Sequence, residues 1–241
     1  MLAQRGGRRQ GSGTVAAVRR DLLTACRILD AEGLVTGYGH LSARLPGQEA
    51  FLISPRRAPG QVRGTELLRV SLDASPAQIP RMAPLEIPLH LALYPARPDI
   101  GAILRIHPRW AAVLSVLGRP LRPLDAMGAL LAETVLIYPN PARVATLEQG
   151  RDLAAALGQS DAILVRGHGA IVAGRDVVEA TVKAVMLEDS ARLTCRALSI
   201  GEPQPLTREE WHERHGQSRE YFRRSWDYLT RRAGGPAGGK G

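Results

Sequence analysis

Residues Ile100–His107 alternate with a period of two. Ile100, Ala102, Leu104 and Ile106 fall on one face, and Ile103, Arg105 and His107 on the other. Such spacing defines a strand, and it puts an arginine and a histidine side by side at one strand end. A second signal of the same kind lies further on. Ala162–Arg166 and Ala170–Ala173 are two apolar runs around Gly167-His168-Gly169, which reads as a hairpin with a histidine at its tip.

The remaining elements follow from spacing and breakers. Thr14–Ala31 is predicted as a helix with Val15, Val18, Leu22, Cys26 and Leu29 near one face, stopped by Gly33. Short strands are predicted around Gly39–Leu45, Ala50–Ile53, Leu67–Leu72 and Val135–Tyr138. A helix starts near Leu85 and ends before Arg97-Pro98, since the residue before proline is pushed out of the helical region. Further helices are predicted over Arg109–Leu117, Thr146–Leu157, Asp176 to about Ser199, and about Thr207–Arg231. Strands and helices alternate, yet several strands are joined by tight turns. That predicts an α/β fold with a mixed, largely antiparallel sheet and helices on both faces. No Gly-x-Gly-x-x-Gly follows the first strand, so dinucleotide binding has no support.

With 241 residues, 44% of them apolar, the chain is long enough for one domain and too short for two large ones. We expect a single domain over 14–232, between a flexible basic tail, 1–13, and a flexible Gly-rich tail, 233–241. No apolar run reaches 18 residues, which argues against a membrane span, and no apolar segment follows the basic N-terminus, which argues for a cytoplasmic location. Cys26 and Cys195 show no Cys-x-x-Cys spacing and read as buried thiols of a reducing compartment. The net charge is +9, mostly from arginine and partly in the tails. Nucleic-acid binding would interleave the basic residues with aromatics on one element, and no such stripe exists. The remaining arginines read as surface charge and as a few groups aimed at an anionic substrate.

Of six histidines, three sit where sites are built: His107 at a strand end, His168 between two glycines, and His40 after Gly39 at the start of another strand. Glu86 and His90 are four apart and share a helix face. A carboxylate in a first helical turn is also favoured by the dipole alone. Composition and spacing leave a His/His/Glu site and a set of structural residues both open.

The chain resembles the class II aldolase/adducin family over roughly Thr14–Tyr228. The matching pieces are Gly33–Arg44, Phe51–Pro55, Glu86–Tyr94 with Arg97–Ala102, and Leu164–Val172, and their order and spacing make the likeness specific. The resemblance implies a three-layer α/β/α sandwich, often a homotetramer with sites at subunit interfaces. It also implies a divalent metal, Zn2+ or Mn2+ and in some branches Fe2+, held by a His-x-His strand end and the hairpin histidine, with an upstream glutamate as ligand or acid/base. Carried over, Glu86, His107 and His168 match the metal set, with Glu86 and His168 also catalytic. Arg105 stands where the first histidine belongs. A guanidinium stays protonated and is no ligand. At ~5 Å and an effective dielectric of ~20 it would repel a divalent ion by roughly 7 kcal/mol.

The turn Gly39-His40-Leu41-Ser42 and the loop Ser54-Pro55-Arg56-Arg57 depart from the phosphosugar aldolases and look like the branch that decarboxylates hydroxylated aromatic dicarboxylates. His40, Ser42, Ser54, Arg56 and Arg57 are therefore the expected substrate-binding residues, with an arginine forking a carboxylate. The leading expectation is a metal-dependent decarboxylase of a small hydroxylated carboxylic acid. Kept beside it are a metal-dependent aldolase, a metal-free enzyme in which Arg105 is catalytic, and an adducin-like assembly module. In the family a neighbouring subunit can close the site, which would give Tyr221 or Tyr228 a role; Trp211 and Trp226 read as core or interface anchors.

Overall fold

The computed structural model describes residues 13–215 and 218–234. The tails expected over 1–13 and 233–241 therefore lie outside the described residues, apart from Gly13, Ala233 and Gly234. The chain runs α1 (Val15–Ala31), β1 (His40–Arg44), β2 (Ala50–Ile53), β3 (Leu68–Ser71), α2 (Ile87–Ala96), β4 (Ala102–Ile106), α3 (Arg109–Val116), β5 (Ile137–Tyr138), α4 (Leu147–Leu157), β6 (Ala162–Val165), β7 (Gly169–Gly174), α5 (Val177–Leu198), α6 (Arg208–His215) and α7 (Ser218–Arg232). Side-chain caps set several starts. Thr14, Thr146 and Asp176 each accept from a backbone N–H in the first turn of α1, α4 and α5. Among the described residues no helix is long and apolar enough to cross a membrane.

Seven strands form one sheet in the order β3-β2-β1-β4-β7-β6-β5. Every pairing is antiparallel except β5 with β6. One face carries Leu41, Ala43, Leu104, Ile106, Leu164 and Val172 and packs with Leu22, Leu29, Leu114, Leu187 and Trp226 from α1, α3, α5 and α7. The other carries Ile53, Ile103, Ile163, Ile171 and Ala173 and packs with Leu89, Leu93 and Leu153 from α2 and α4. The three expected layers are present. Gly150 lets α4 approach α2 closely, for a Cβ there would lie 2.6 Å from the Pro88 carbonyl oxygen.

Three expectations change. Ile100, expected on the face of Ala102, Leu104 and Ile106, packs on the α2/α4 side. The ladder starts only at Ala102, so the period of two does not reach back across Gly101. The single last helix is two helices, flanking residues 216–217, which lie outside the described residues. Cys195 is partly exposed and only Cys26 is buried. The mid-chain Lys183 is also buried, on α5, with its Nζ 2.6 Å from Glu179 and 2.5 Å from Asp161.

The register builds the site. His40 of β1 pairs with Arg105 of β4, and Arg105 pairs with Ile171 of β7. His40 and Arg105 thus stand in one row on the α2/α4 face. The β6–β7 hairpin closes with Val165 opposite Gly169, leaving His168 in the turn. Gly169 has φ +124°, and a Cβ there would lie 2.3 Å from the Ile106 carbonyl oxygen and 3.0 Å from an Arg105 guanidinium nitrogen. Gly169→Ala is therefore expected to lower stability by at least about 1–3 kcal/mol, the cost of the backbone conformation alone. Urea unfolding of the two proteins checks this; equal midpoints would count against the hairpin geometry.

Candidate active site

Glu86 immediately precedes α2, whose start carries Pro88 where a helix leaves its N–H groups unpaired anyway. Its carboxylate does not cap the helix but turns toward the sheet. Oε1 accepts from the Val144 N–H at 3.2 Å, in the segment leading to α4. Oε2 faces His40 Nε2 at 3.4 Å and Arg105 Nε at 3.5 Å. Arg105 is 1% exposed, the largest fully buried side chain. Its Nη1 donates to the Ile106 carbonyl at 2.9 Å, and both terminal nitrogens lie 3.4 Å from the His168 carbonyl oxygen.

His107 follows the end of β4, and its backbone N–H donates to the Leu34 carbonyl at 2.8 Å. Its buried Nδ1 has no hydrogen-bond partner among the described residues. His168 Nδ1 lies 3.1 Å from the Pro141 carbonyl oxygen. A carbonyl only accepts, so Nδ1 carries the proton and Nε2 of the neutral ring is bare. The two rings are 5.7 Å apart, centre to centre.

The charges fall in a definite pattern. Burial alone would raise the Glu86 pKa. The hydrogen bond from His40 and the charge of Arg105 outweigh it and hold the group at about 2. Burial, then Arg105, pulls His107 down to about 4 and lowers His168. At neutral pH the site is one carboxylate, one guanidinium and neutral imidazoles.

The sequence-predicted residues divide. Glu86, His40 and Arg105 are in contact, and His107 and His168 lie together beside the Arg105 backbone and guanidinium. Ser42 and Ser54 are fully buried with internal partners: Ser42 Oγ lies 2.7 Å from His90 Nδ1, and Ser54 Oγ accepts from the Leu41 N–H at 3.0 Å. Arg56 and Arg57 are exposed, and Arg57 pairs with Glu66. Neither makes a hydrogen bond or ion pair with the Glu86 group among the described residues. Tyr221 and Tyr228 are exposed on α7, whereas Trp226 joins the core and Trp211 donates to the Leu131 carbonyl at 3.0 Å.

For a divalent ion, the set Glu86, His107 and His168 is poorly arranged. Among the described residues no three His, Cys, Asp or Glu side chains converge as ligands. Both Glu86 oxygens are engaged, and the Arg105 charge sits between the carboxylate and the hairpin. As they stand, these residues do not fit a resident metal. Sequence reasoning passed over His90 as more than a face-mate of Glu86, and missed Tyr94. The available signal was the spacing Glu86, His90, Tyr94 along an otherwise apolar helix.

The chain matches the family described as "Class II Aldolase and Adducin N-terminal domain" over residues 20–195. It belongs to the class II aldolase/adducin family. Within it, the chain is 31% identical over 203 residues to a 3,4-dihydroxyphthalate decarboxylase of Arthrobacter keyseri, covering 78% of this chain and 82% of that protein. It is 30% identical to a 5-methylthioribulose-1-phosphate/5-deoxyribulose-1-phosphate aldolase of Rhodospirillum rubrum, covering 82% of this chain and 89% of that one. Among solved structures, an L-fuculose 1-phosphate aldolase superposes with a TM-score of 0.77 at 24% identity, covering 86% of this chain and 99% of that one, which bears on the fold.

The electrostatics of this class II aldolase-like site predict acid sensitivity. Glu86 has a folded pKa of about 2, below the ordinary value of 4.5, so its stabilisation is present above pH 4.5 and is lost as pH falls toward 2. The shift corresponds to roughly 3 kcal/mol. His107, buried neutral at about 4 against 6.5, adds a loss between those two values, because the unfolded chain protonates first. Stability should therefore fall in two stages below pH 6.5. Glu86→Gln should be less stable at pH 7 and should flatten the stage below pH 4.5. Urea unfolding at pH 7, 5 and 3 reads both; parallel curves for the two proteins would refute the assignment.

Proposed function

We propose that this protein is a carbon–carbon lyase, a decarboxylase of a small hydroxylated, aromatic carboxylic acid, with Arg105 as its fixed cation. The observation that carries the reading is the Arg105 guanidinium, buried, held by Glu86 and set against two neutral imidazoles. The decarboxylase names among relatives of about this identity support the reaction class.

Transfer of a proton from a conjugated hydroxyl to the ring carbon that bears the carboxylate gives a dienone. When the carbon–carboxylate bond then breaks, carbon dioxide leaves and the electron pair passes through the ring to that oxygen as a phenolate. A cation at ~5 Å in an effective dielectric of ~20 stabilises such an oxyanion by roughly 3 kcal/mol. Arg105 supplies that charge without loss by deprotonation. The bare Nε2 of His168 accepts the hydroxyl proton and delivers it to the ring carbon before carbon dioxide leaves, and the resulting phenolate takes one proton from water, which balances the step. Glu86, held at about 2, stays ionised through the cycle and orients Arg105. His40 belongs to this support, while Arg56 is an exposed cation for a second carboxylate and Arg57 is paired with Glu66.

The competing reading is a divalent-metal lyase with Glu86, His107 and His168 as ligands. The unpartnered Nδ1 of His107 favours it, and it requires Arg105 to release Glu86. An aldolase acting through the same cation shares the electronic demand and is favoured by the aldolase relatives. For assembly we infer a homo-oligomer, a tetramer in the family pattern, supported by exposed apolar side chains such as Val116, Leu117 and Tyr228.

Release of carbon dioxide from 3,4-dihydroxyphthalate and related hydroxylated dicarboxylates is the direct test. Turnover should persist in chelator, with no stoichiometric metal by plasma mass spectrometry. Arg105→Gln should lose about 10²–10³ in kcat, the scale of removing one oxyanion donor, and His168→Ala should also be strongly impaired. Stoichiometric zinc, manganese or iron that vanishes in His168→Ala would replace this reading with the metal one. No turnover in the unmodified protein, with assembly unchanged in His168→Ala, would point to an assembly module instead.

A further inference from the structure

Five side chains form an unbranched row that ends at the site. Tyr94 Oη lies 2.8 Å from Ser42 Oγ, Ser42 Oγ 2.7 Å from His90 Nδ1, and His90 Nε2 2.8 Å from His40 Nδ1. His40 Nε2 then faces Glu86 Oε2 at 3.4 Å. Tyr94, Ser42 and His90 are 0% exposed. The far end is closed, with the Arg44 guanidinium 4.7 Å over the Tyr94 ring.

The partners of Glu86 set the direction of every bond in the row. The Val144 N–H and the Arg105 guanidinium are donors only, so Glu86 is an acceptor and His40 Nε2 donates to it. The Arg105 guanidinium already balances the Glu86 charge at the same carboxylate oxygen, so His40 is neutral and its bare Nδ1 accepts from His90 Nε2 at 2.8 Å. His90, fully buried and neutral, then has a bare Nδ1 that accepts from the Ser42 hydroxyl. Ser42 in turn accepts from the Tyr94 hydroxyl. Each donor is specified by one terminal carboxylate, and each bond polarises the next.

We propose that this row is a positioning array, in which His90, acting through His40, fixes Glu86 and thereby aims the Arg105 guanidinium. The proposal rests on the reading of Arg105 as the reaction's cation. The row is not a proton conduit, because its far end meets no solvent. His90, Ser42 and Tyr94 touch no reacting atom, so they are positioning residues.

The tautomers are the decisive readout, since mere packing would not order them. Long-range imidazole ¹⁵N spectra of the full chain should show His40 and His90 both neutral, with the proton on Nε2. In His90→Phe the ring volume stays but His40 loses its donor, and its signals should shift. The same variant should lose about tenfold in kcat for 3,4-dihydroxyphthalate with KM within about twofold. His90→Gln offers both an acceptor and a donor and should recover most of the loss. If His90→Phe does not fold, Ser42→Ala removes the donor to His90 Nδ1, together with the acceptor for the Tyr94 hydroxyl, and should shift the His90 signals. A proton on Nδ1 of either ring, or full turnover in His90→Phe beside an inactive Arg105→Gln, would overturn the array. Full turnover in Arg105→Gln would instead overturn the reading of the site, while the tautomers would still decide whether the row is ordered as described.

Discussion

A guanidinium and a carboxylate meet inside this protein, and much of the chain is arranged to make that tolerable. Burying two charges costs several kcal/mol per ion. At about 3.5 Å and an effective dielectric of ~20 their attraction returns roughly 5 kcal/mol. The difference is made up by hydrogen bonds to what remains. His40 and the Val144 N–H serve Glu86, and the carbonyls of Ile106 and His168 serve Arg105. Those partners come from β1, the end of β4, the β6–β7 turn and the segment before α4. One ion pair thus ties together the start of α2, the middle of the sheet and the hairpin that carries His168.

The same pair sets the chemistry around it. Burial, together with the permanent positive charge of Arg105, keeps His107 and His168 neutral. A permanent negative charge on Glu86 keeps Arg105 in place and orients the histidine row behind it. The hairpin depends on Gly169, because any side chain there would meet the Ile106 carbonyl beside Arg105. Backbone, charge and site geometry are therefore one constraint seen at three levels.

Much of this was legible before any coordinates. The period of two in Ile100–His107 put Arg105 on a strand, the glycines around His168 marked the turn, and Arg97-Pro98 marked the end of the helix that starts near Leu85. Legibility ended where a pattern met a boundary. Ile100 fits the alternation but precedes the ladder, so its side chain packs on the opposite face. The hydroxyls of Ser42 and Ser54 looked like groups for a substrate, but the nearest unsatisfied partners were internal ones, His90 and the Leu41 N–H. Arg57, expected at an anion, pairs with Glu66, nine residues on.

By itself the sequence determined the α/β class, the antiparallel hairpins and the family, and it put Arg105 beside His107 at a strand end. Periodicity, turn residues and motif order are local properties, and they survive in one dimension. Only the tertiary structure decided that Arg105 is ion-paired with Glu86 rather than exposed, that His40 and His90 join Glu86 in one row, and that His107 and His168 stand together but neutral. The physical reason is that hydrogen-bond partners and burial are set by strand register and helix packing, which bring residues 40, 86, 105 and 168 together from four separate elements of the chain.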